Sequence, residues 1–198
     1  MLKRICKITF ITHGATVYSI DGIINDKLNL PKINEYGEFE IEHVCEYLKK
    51  RGVSYDRIYS SPAMYCKQSA NIIAKMFHKK VDTLDLPGRN HGELQGLFYA
   101  DLFNENGASV IAKTPKNGES VKKFNSRVSK LIKKLIIENK GNRIIIVTTP
   151  DVVQSAIAQA LELTPENQYK TLIKTGSLTQ ISYFEGWSSI IYSDYKPL

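Results

Sequence analysis

Ile5-Cys6-Lys7-Ile8-Thr9-Phe10-Ile11-Thr12-His13-Gly14-Ala15-Thr16 is the stretch on which the fold of this chain turns. Residues 5–11 alternate like a strand, and the pattern breaks at a histidine followed by glycine. Far downstream, residues 143–148 form an uninterrupted Ile/Val run, which predicts a strand covered on both faces. Two such strands in one chain imply a buried sheet, and the segments between them supply the cover. A helix is predicted over 37–51, burying Phe39, Val44 and Leu48, then a strand over 57–60, a helix over 63–77 and a short strand near 81–84. A loop-rich stretch runs through Pro87 and Gly118. Helices are predicted over 120–139 and 152–161, the second closed by Thr164-Pro165. Segments 177–184 and 188–192 flank Glu185-Gly186-Trp187 and read as a hairpin. The alternation of strands and helices predicts an α/β fold with a mostly parallel central sheet flanked by helices on both faces.

With 198 residues, 42% hydrophobic and 24% charged, the chain is long enough for one substantial core, so a single domain over 1–198 is expected. Cys6, Cys45 and Cys66 have neither metal-ligand spacing nor the even count of a disulfide framework, which predicts free thiols. The first residues carry charge where a signal peptide has its apolar core, and no apolar run approaches the roughly 18 residues of a membrane span. A cytoplasmic protein is expected, with no metal, no cofactor and no membrane attachment. The net charge of +7 raises the question of nucleic acid. Much of it lies on one helix, where Lys122, Lys123, Arg127, Lys130, Lys133 and Lys134 alternate with Val121, Phe124, Val128, Leu131 and Leu135. The apolar set is a buried stripe and the cations are its solvated face, with no stacking aromatics beside them. Nucleic acid is therefore not the expected partner. The expected partner is a protein or a small molecule, and the sequence leaves the oligomeric state open.

In an open α/β sheet, ligands bind beyond the carboxyl ends of the strands, which directs attention to the segments after Ile11, Ser60 and Val147. Each also has an ordinary structural reading. Taken alone, His13 is a kind of residue more often structural than catalytic. Ser61-Pro62 reads as an N-cap followed by proline at the first helical position, and Thr149-Pro150-Asp151 reads as a second start of the same kind.

The three segments together resemble those of the histidine phosphatase (phosphoglycerate mutase-like) superfamily. That family opens with Arg-His-Gly, matched by Thr12-His13-Gly14 with Thr16 following. Its Leu-Thr-x-x-Gly segment is resembled by residues 33–37. Its Ser-Ser-Pro-Leu-x-Arg-Ala-x-Gln-Thr-Ala motif lines up without a gap on residues 60–70. The loop that carries the family's acid resembles 86–96, and Pro-x-x-Gly-Glu-Ser is matched by residues 115–120. The Val-Ser-His-Gly segment is similar to 147–150.

The resemblance implies a phosphoryl-accepting histidine at His13, with Gly14 beside it. It also implies that the partners are replaced. The first arginine stands at Thr12, the second at Tyr65, the loop glutamate at Gly88, the second histidine at Thr149, and an asparagine after the first motif near Ser19. Phosphoryl transfer to an imidazole is stabilised by cations and donors around the equatorial oxygens, and an acid protonates the departing alkoxide, a contribution of roughly 10² to 10⁴ in rate. Loss of one preorganised donor costs about 2.7 to 4 kcal/mol, so loss of several predicts no useful turnover. Asp151, in the first turn of its helix, stabilises that helix and also repels a phosphate there. Arg89, His91 and Glu93 could swing in from the loop as compensating groups, and Tyr65 could keep a donor without the charge. Two functions are implied: a pseudophosphatase with a binding or regulatory role, or a weak phosphomonoesterase or phosphotransferase acting through phospho-His13 with substitute residues from loop 86–96.

Overall fold

The strand with the unbroken Ile/Val run lies at the middle of the sheet, as its composition requires. The computed structural model describes residues 3–25, 31–103 and 110–197. Its strands are β1 (Arg4–Thr12), β2 (Arg57–Ser60), β3 (Val81–Thr83), β4 (Arg143–Thr148), β5 (Leu178–Phe184) and β6 (Ser188–Tyr195). They form one sheet in the order β3-β2-β4-β1-β5-β6. The first four of these run parallel, β5 is antiparallel to β1, and β6 is antiparallel to β5. Register places Thr12 opposite Thr148 and Ser60 opposite Val147, so β1, β2 and β4 end level with one another. The loops leaving these three strands therefore emerge at one edge.

The helices are α1 (Val17–Ile20), α2 (Glu35–Lys50), α3 (Met64–Phe77), α4 (Val121–Glu138), α5 (Pro150–Ala160) and α6 (Pro165–Gln168). Strand alternation sends Cys6, Ile8, Phe10, Ile144 and Ile146 to one face, against Phe124, Val128 and Leu135 of α4 and Val153 and Ile157 of α5. Ile11, Ile58, Ile145 and Val147 face the other way, onto Ile41, Val44 and Leu48 of α2 and Ala70 and Ile73 of α3. Burial of each large aliphatic side chain stabilises the fold by about 1.5–3 kcal/mol, which makes these two layers the main favourable term. A third cluster, built on Leu94, Leu102, Ile111, Val121 and Tyr169, holds the segment between β3 and α4, in which Gly92–Leu94, Tyr99–Leu102 and Val110–Ala112 are single 3₁₀ turns.

Several expectations need correction. Phe39 is 54% exposed and lies against the His43 ring, because the buried stripe of α2 starts at Ile41 and recurs at Val44, Cys45 and Leu48. On α4 the stripe runs through Ile132, and Leu131 is only half-buried, since Phe124, Val128 and Ile132 keep a strict spacing of four. Ser61 does not cap a helix: α3 begins at Met64 after Ala63, and the Ser61 hydroxyl pairs instead with that of Thr148 at 2.7 Å. Thr149 stands at the cap position of α5 without making a cap bond. Cys6, Cys45 and Cys66 are free and buried, and burial pushes each thiol above its usual range, to about 12 at Cys45. No helix among the described residues is long and apolar enough to cross a membrane.

Candidate active site

Backbone bonds fix the histidine loop before any side chain is considered. The His13 amide donates to Thr148 O at 3.0 Å, and Gly176 N donates to His13 O at 3.0 Å, so the loop is clamped between β4 and the entrance to β5. Gly14 passes so close to α2 that a Cβ there would stand 2.2 Å from Gly37 O, closer than any side chain tolerates. The Gly14 amide donates to the Ser69 hydroxyl at 3.0 Å, and the Ala15 amide to the Glu40 carboxylate at 2.8 Å. Thr16 and Ser19 form a reciprocal capping box at the start of α1.

Within this loop the imidazole is nearly buried, 6% exposed, with Nδ1 2.8 Å from Gly14 O. A carbonyl oxygen can only accept, so Nδ1 carries the proton and Nε2 the lone pair. Burial lowers the imidazole pKa, opposed by the Gly14 bond and by the charges of Asp151 and Glu40, and His13 is neutral at neutral pH. Its ring lies 4.3 Å from that of Tyr65, tilted by 50°.

His13 lines a cavity of about 480 Å³ at the carboxyl edge of the sheet. Of the residues singled out in the sequence, Ser19, Tyr65, Gly88, His91, Thr149 and Asp151 share it. Thr12 does not line it. Its hydroxyl donates to Lys174 O at 2.6 Å and accepts from Ser177 N at 2.9 Å, so the position that resembles the family's first arginine is a buried tie between β1 and the start of β5. Asp151 lies at the N-terminus of α5, where its carboxylate accepts from the amides of Arg89 and Val152 and from the Thr149 hydroxyl. A Cβ on Gly88 would stand 3.1 Å from that carboxylate. Arg127 holds the same loop, donating to Pro87 O and Gly88 O at 2.8 and 2.7 Å while paired with Glu119 at 2.9 Å.

Two of the three candidate compensating groups are placed elsewhere. Arg89 is completely buried, and its guanidinium donates to the carbonyls of Ile111, Lys113 and Glu119 and to the Tyr169 hydroxyl. Every edge of that fork is engaged in holding the loop. Glu93 is exposed and accepts from Lys116 N at 3.3 Å. His91, 8% exposed, is the member of the three that lines the cavity.

Of the four charged groups that line the cavity among the described residues, Asp151, Glu40, Lys174 and Lys196, sequence reasoning recognises only Asp151. Glu40, 4% exposed, accepts from Ala15, Thr175 and Lys196, and Lys196 also approaches the Tyr36 hydroxyl at 3.4 Å. Strand direction carries the signal for the two lysines. A strand antiparallel to β1 must begin where β1 ends, so the residues just before β5 and just after β6 reach the same edge as His13. Tyr99 and Tyr169 add aromatic walls, and burial raises the pKa of both phenols, to about 12 at Tyr169. Among the described residues, no three His, Cys, Asp or Glu side chains come together as a metal site.

The chain is 26% identical to phosphoglycerate mutase-like protein 4 of Arabidopsis thaliana, over 97% of this chain and 86% of that protein. It is 28% identical to the 2,3-bisphosphoglycerate-dependent phosphoglycerate mutase of Thermoplasma acidophilum, over 86% and 84%. A phosphoserine phosphatase of Entamoeba histolytica in complex with 3-phosphoglyceric acid superposes with a TM-score of 0.81 at 20% identity, covering 95% of this chain and 96% of that one. A mycobacterial glucosyl-3-phosphoglycerate phosphatase superposes at 0.82 with 20% identity, covering 96% and 99%. Both structures share the α/β architecture, with its mostly parallel sheet. Residues 8–192, which run from within β1 to within β6, match the family "Histidine phosphatase superfamily (branch 1)", and the chain belongs to that superfamily.

Proposed function

We propose that this chain is a noncatalytic member of its superfamily, a pseudophosphatase whose cavity serves binding or regulation. The relatives are named as mutases and phosphatases, so phosphoester chemistry is the background against which the reading is made. The observation that carries it is the use made of the α5 N-terminus. An anion at such a terminus gains from unpaired amides and a partial positive charge. Here the Asp151 carboxylate takes the Arg89 and Val152 amides and the Thr149 hydroxyl for itself. An incoming phosphate meets a fixed negative charge, a neutral imidazole and the Tyr65 ring in place of a guanidinium. Stabilisation of the transferring phosphoryl group is almost wholly electrostatic, so these replacements remove the part of the machinery that sets the rate.

The test is phosphatase assay of p-nitrophenyl phosphate and a panel of phosphomonoesters across pH, with His13→Ala as control. The expected result is no turnover that depends on His13. Substantial turnover lost in the mutant overturns the reading.

A second reading has two observations in its favour. His13 keeps a nucleophile's tautomer, with the lone pair on Nε2, and Lys174 and Lys196 share its cavity. On that reading the protein is a weak phosphomonoesterase or phosphotransferase. It requires an acid-labile phosphohistidine at His13, detectable by mass spectrometry after quenching at alkaline pH, and absence of the adduct with every substrate tried removes it.

A further inference from the structure

Among the described residues the charges around the cavity balance, and one pair of them, Glu40 and Lys196, is bonded together. Asp151 and Glu40 contribute two negative charges, Lys174 and Lys196 two positive ones, and His13 is uncharged. The Asp151 carboxylate is bonded by two amides and a hydroxyl, and the Glu40 carboxylate by Ala15, Thr175 and Lys196. A cationic ligand therefore competes with donors already on both carboxylates, and an anionic one meets those carboxylates along with the two lysines. The remaining wall is mainly apolar or aromatic, with Tyr65, Tyr99, Tyr169, Ile24 and Ile173 along it, and Ser19 and Gln154 among its neutral polar members. Tyr169 spends its hydroxyl on Arg89, so its ring is what it offers a guest. The volume of about 480 Å³ lies inside the roughly 300–1,000 Å³ range of small-molecule sites. Among the polar groups of this wall, the Nε2 lone pair of His13 is an acceptor held in place by the Nδ1 bond to Gly14 O.

Building on the noncatalytic reading above, we propose that the cavity receives an uncharged, ring-bearing hydroxy compound, its rings against the tyrosines and its hydroxyl donating to His13 Nε2. Such a molecule is the alcohol half of a phosphomonoester. It is selected because no exchange of charge is needed on entry and the fixed acceptor on His13 is satisfied by an O–H.

Histidine resonances provide a local readout, since His13 and His91 line the cavity while His43 and His78 do not. The full chain, labelled with 13C-histidine, is titrated with two matched pairs: 2-naphthol against 2-naphthyl phosphate, and adenosine against adenosine 5′-monophosphate. At least one alcohol is expected to shift His13 and His91 saturably while leaving His43 and His78 in place, and to bind about tenfold tighter than its own ester. His13→Phe keeps the apolar wall and removes the acceptor, and it is expected to weaken that alcohol about fivefold, the worth of one neutral hydrogen bond. The wild-type comparison stands without this variant. Esters that bind as tightly as their alcohols overturn the proposal, as do titrations in which neither alcohol moves His13 and His91. Phosphorus spectra of the same samples report the parent reading separately, because orthophosphate release dependent on His13 overturns noncatalysis whatever the order of affinities.

Discussion

Replacing Arg89 with methionine removes a buried cation whose fork engages four acceptors, and the cost can be worked from those contacts. Three are main-chain carbonyls, of Ile111, Lys113 and Glu119, and the fourth is the Tyr169 hydroxyl, with Nε, Nη1 and Nη2 all in use. A buried acceptor left without a donor costs about 1–3 kcal/mol, so four of them set an outer limit near 4–12 kcal/mol. Water enters the truncated site and restores part of this, which brings the expected loss to about 3–5 kcal/mol, at the upper end of single-substitution losses. In a chain of this size about 1 kcal/mol moves Tm by roughly 2–4 °C, so Arg89→Met should melt about 6–20 °C lower. Arg89→Lys keeps the charge but lacks the fork, and should fall between the two. Scanning calorimetry and urea titration measure both. A melting point for Arg89→Met within about 2 °C of the parent would refute this, for then the contacts contribute nothing net.

Two more predictions concern charge at the site. The His13 pKa is lowered in the folded chain, from 6.5, so below that pH the unfolded chain binds the extra proton and stability falls; the ceiling is about 1.4 kcal/mol at pH 5.5 relative to high pH. His13→Gln should flatten that acid slope in urea titrations at pH 7.5 and 5.5, and equal slopes in mutant and parent would contradict a buried neutral imidazole. Asp151→Asn keeps the shape of the side chain and removes its charge, so vanadate, measured by calorimetry, should bind about 2- to 30-fold tighter, corresponding to the roughly 0.5–2 kcal/mol of an anion at a helix N-terminus. Unchanged vanadate affinity would show that Asp151 is not what opposes the anion.

The sheet is legible in the sequence because its signals are local. β2 and β4 occupy the predicted 57–60 and 143–148, and α4 runs over Val121–Glu138 against the predicted 120–139. The features that escape depend on partners far along the chain. Ser61-Pro62 has every local mark of a helix start, yet Thr148, 87 residues away, takes the hydroxyl. Arg89 looks like a mobile loop cation until Ile111, Lys113, Glu119 and Tyr169 are folded around it, 22 to 80 residues downstream. Lys174 and Lys196 escape because attention to the parallel strand ends leaves out the antiparallel neighbour, which delivers its own flanks to the same edge. Thr12, Gly14, Tyr65, Gly88 and Thr149 are identified by motif alone, and for Thr12 the motif does not show that the side chain turns away from the cavity.

The contact between Gly14 and Gly37 joins two main chains with no side chain between them. The first turn of α2 is thereby seated on the strand-to-loop corner like a lintel on its post, and a single methyl on either glycine would lift it. The glycine beside the histidine is thus required by masonry as much as by chemistry. A histidine-glycine step is therefore held by packing on its own account, and its presence in a chain of this fold is no measure of turnover.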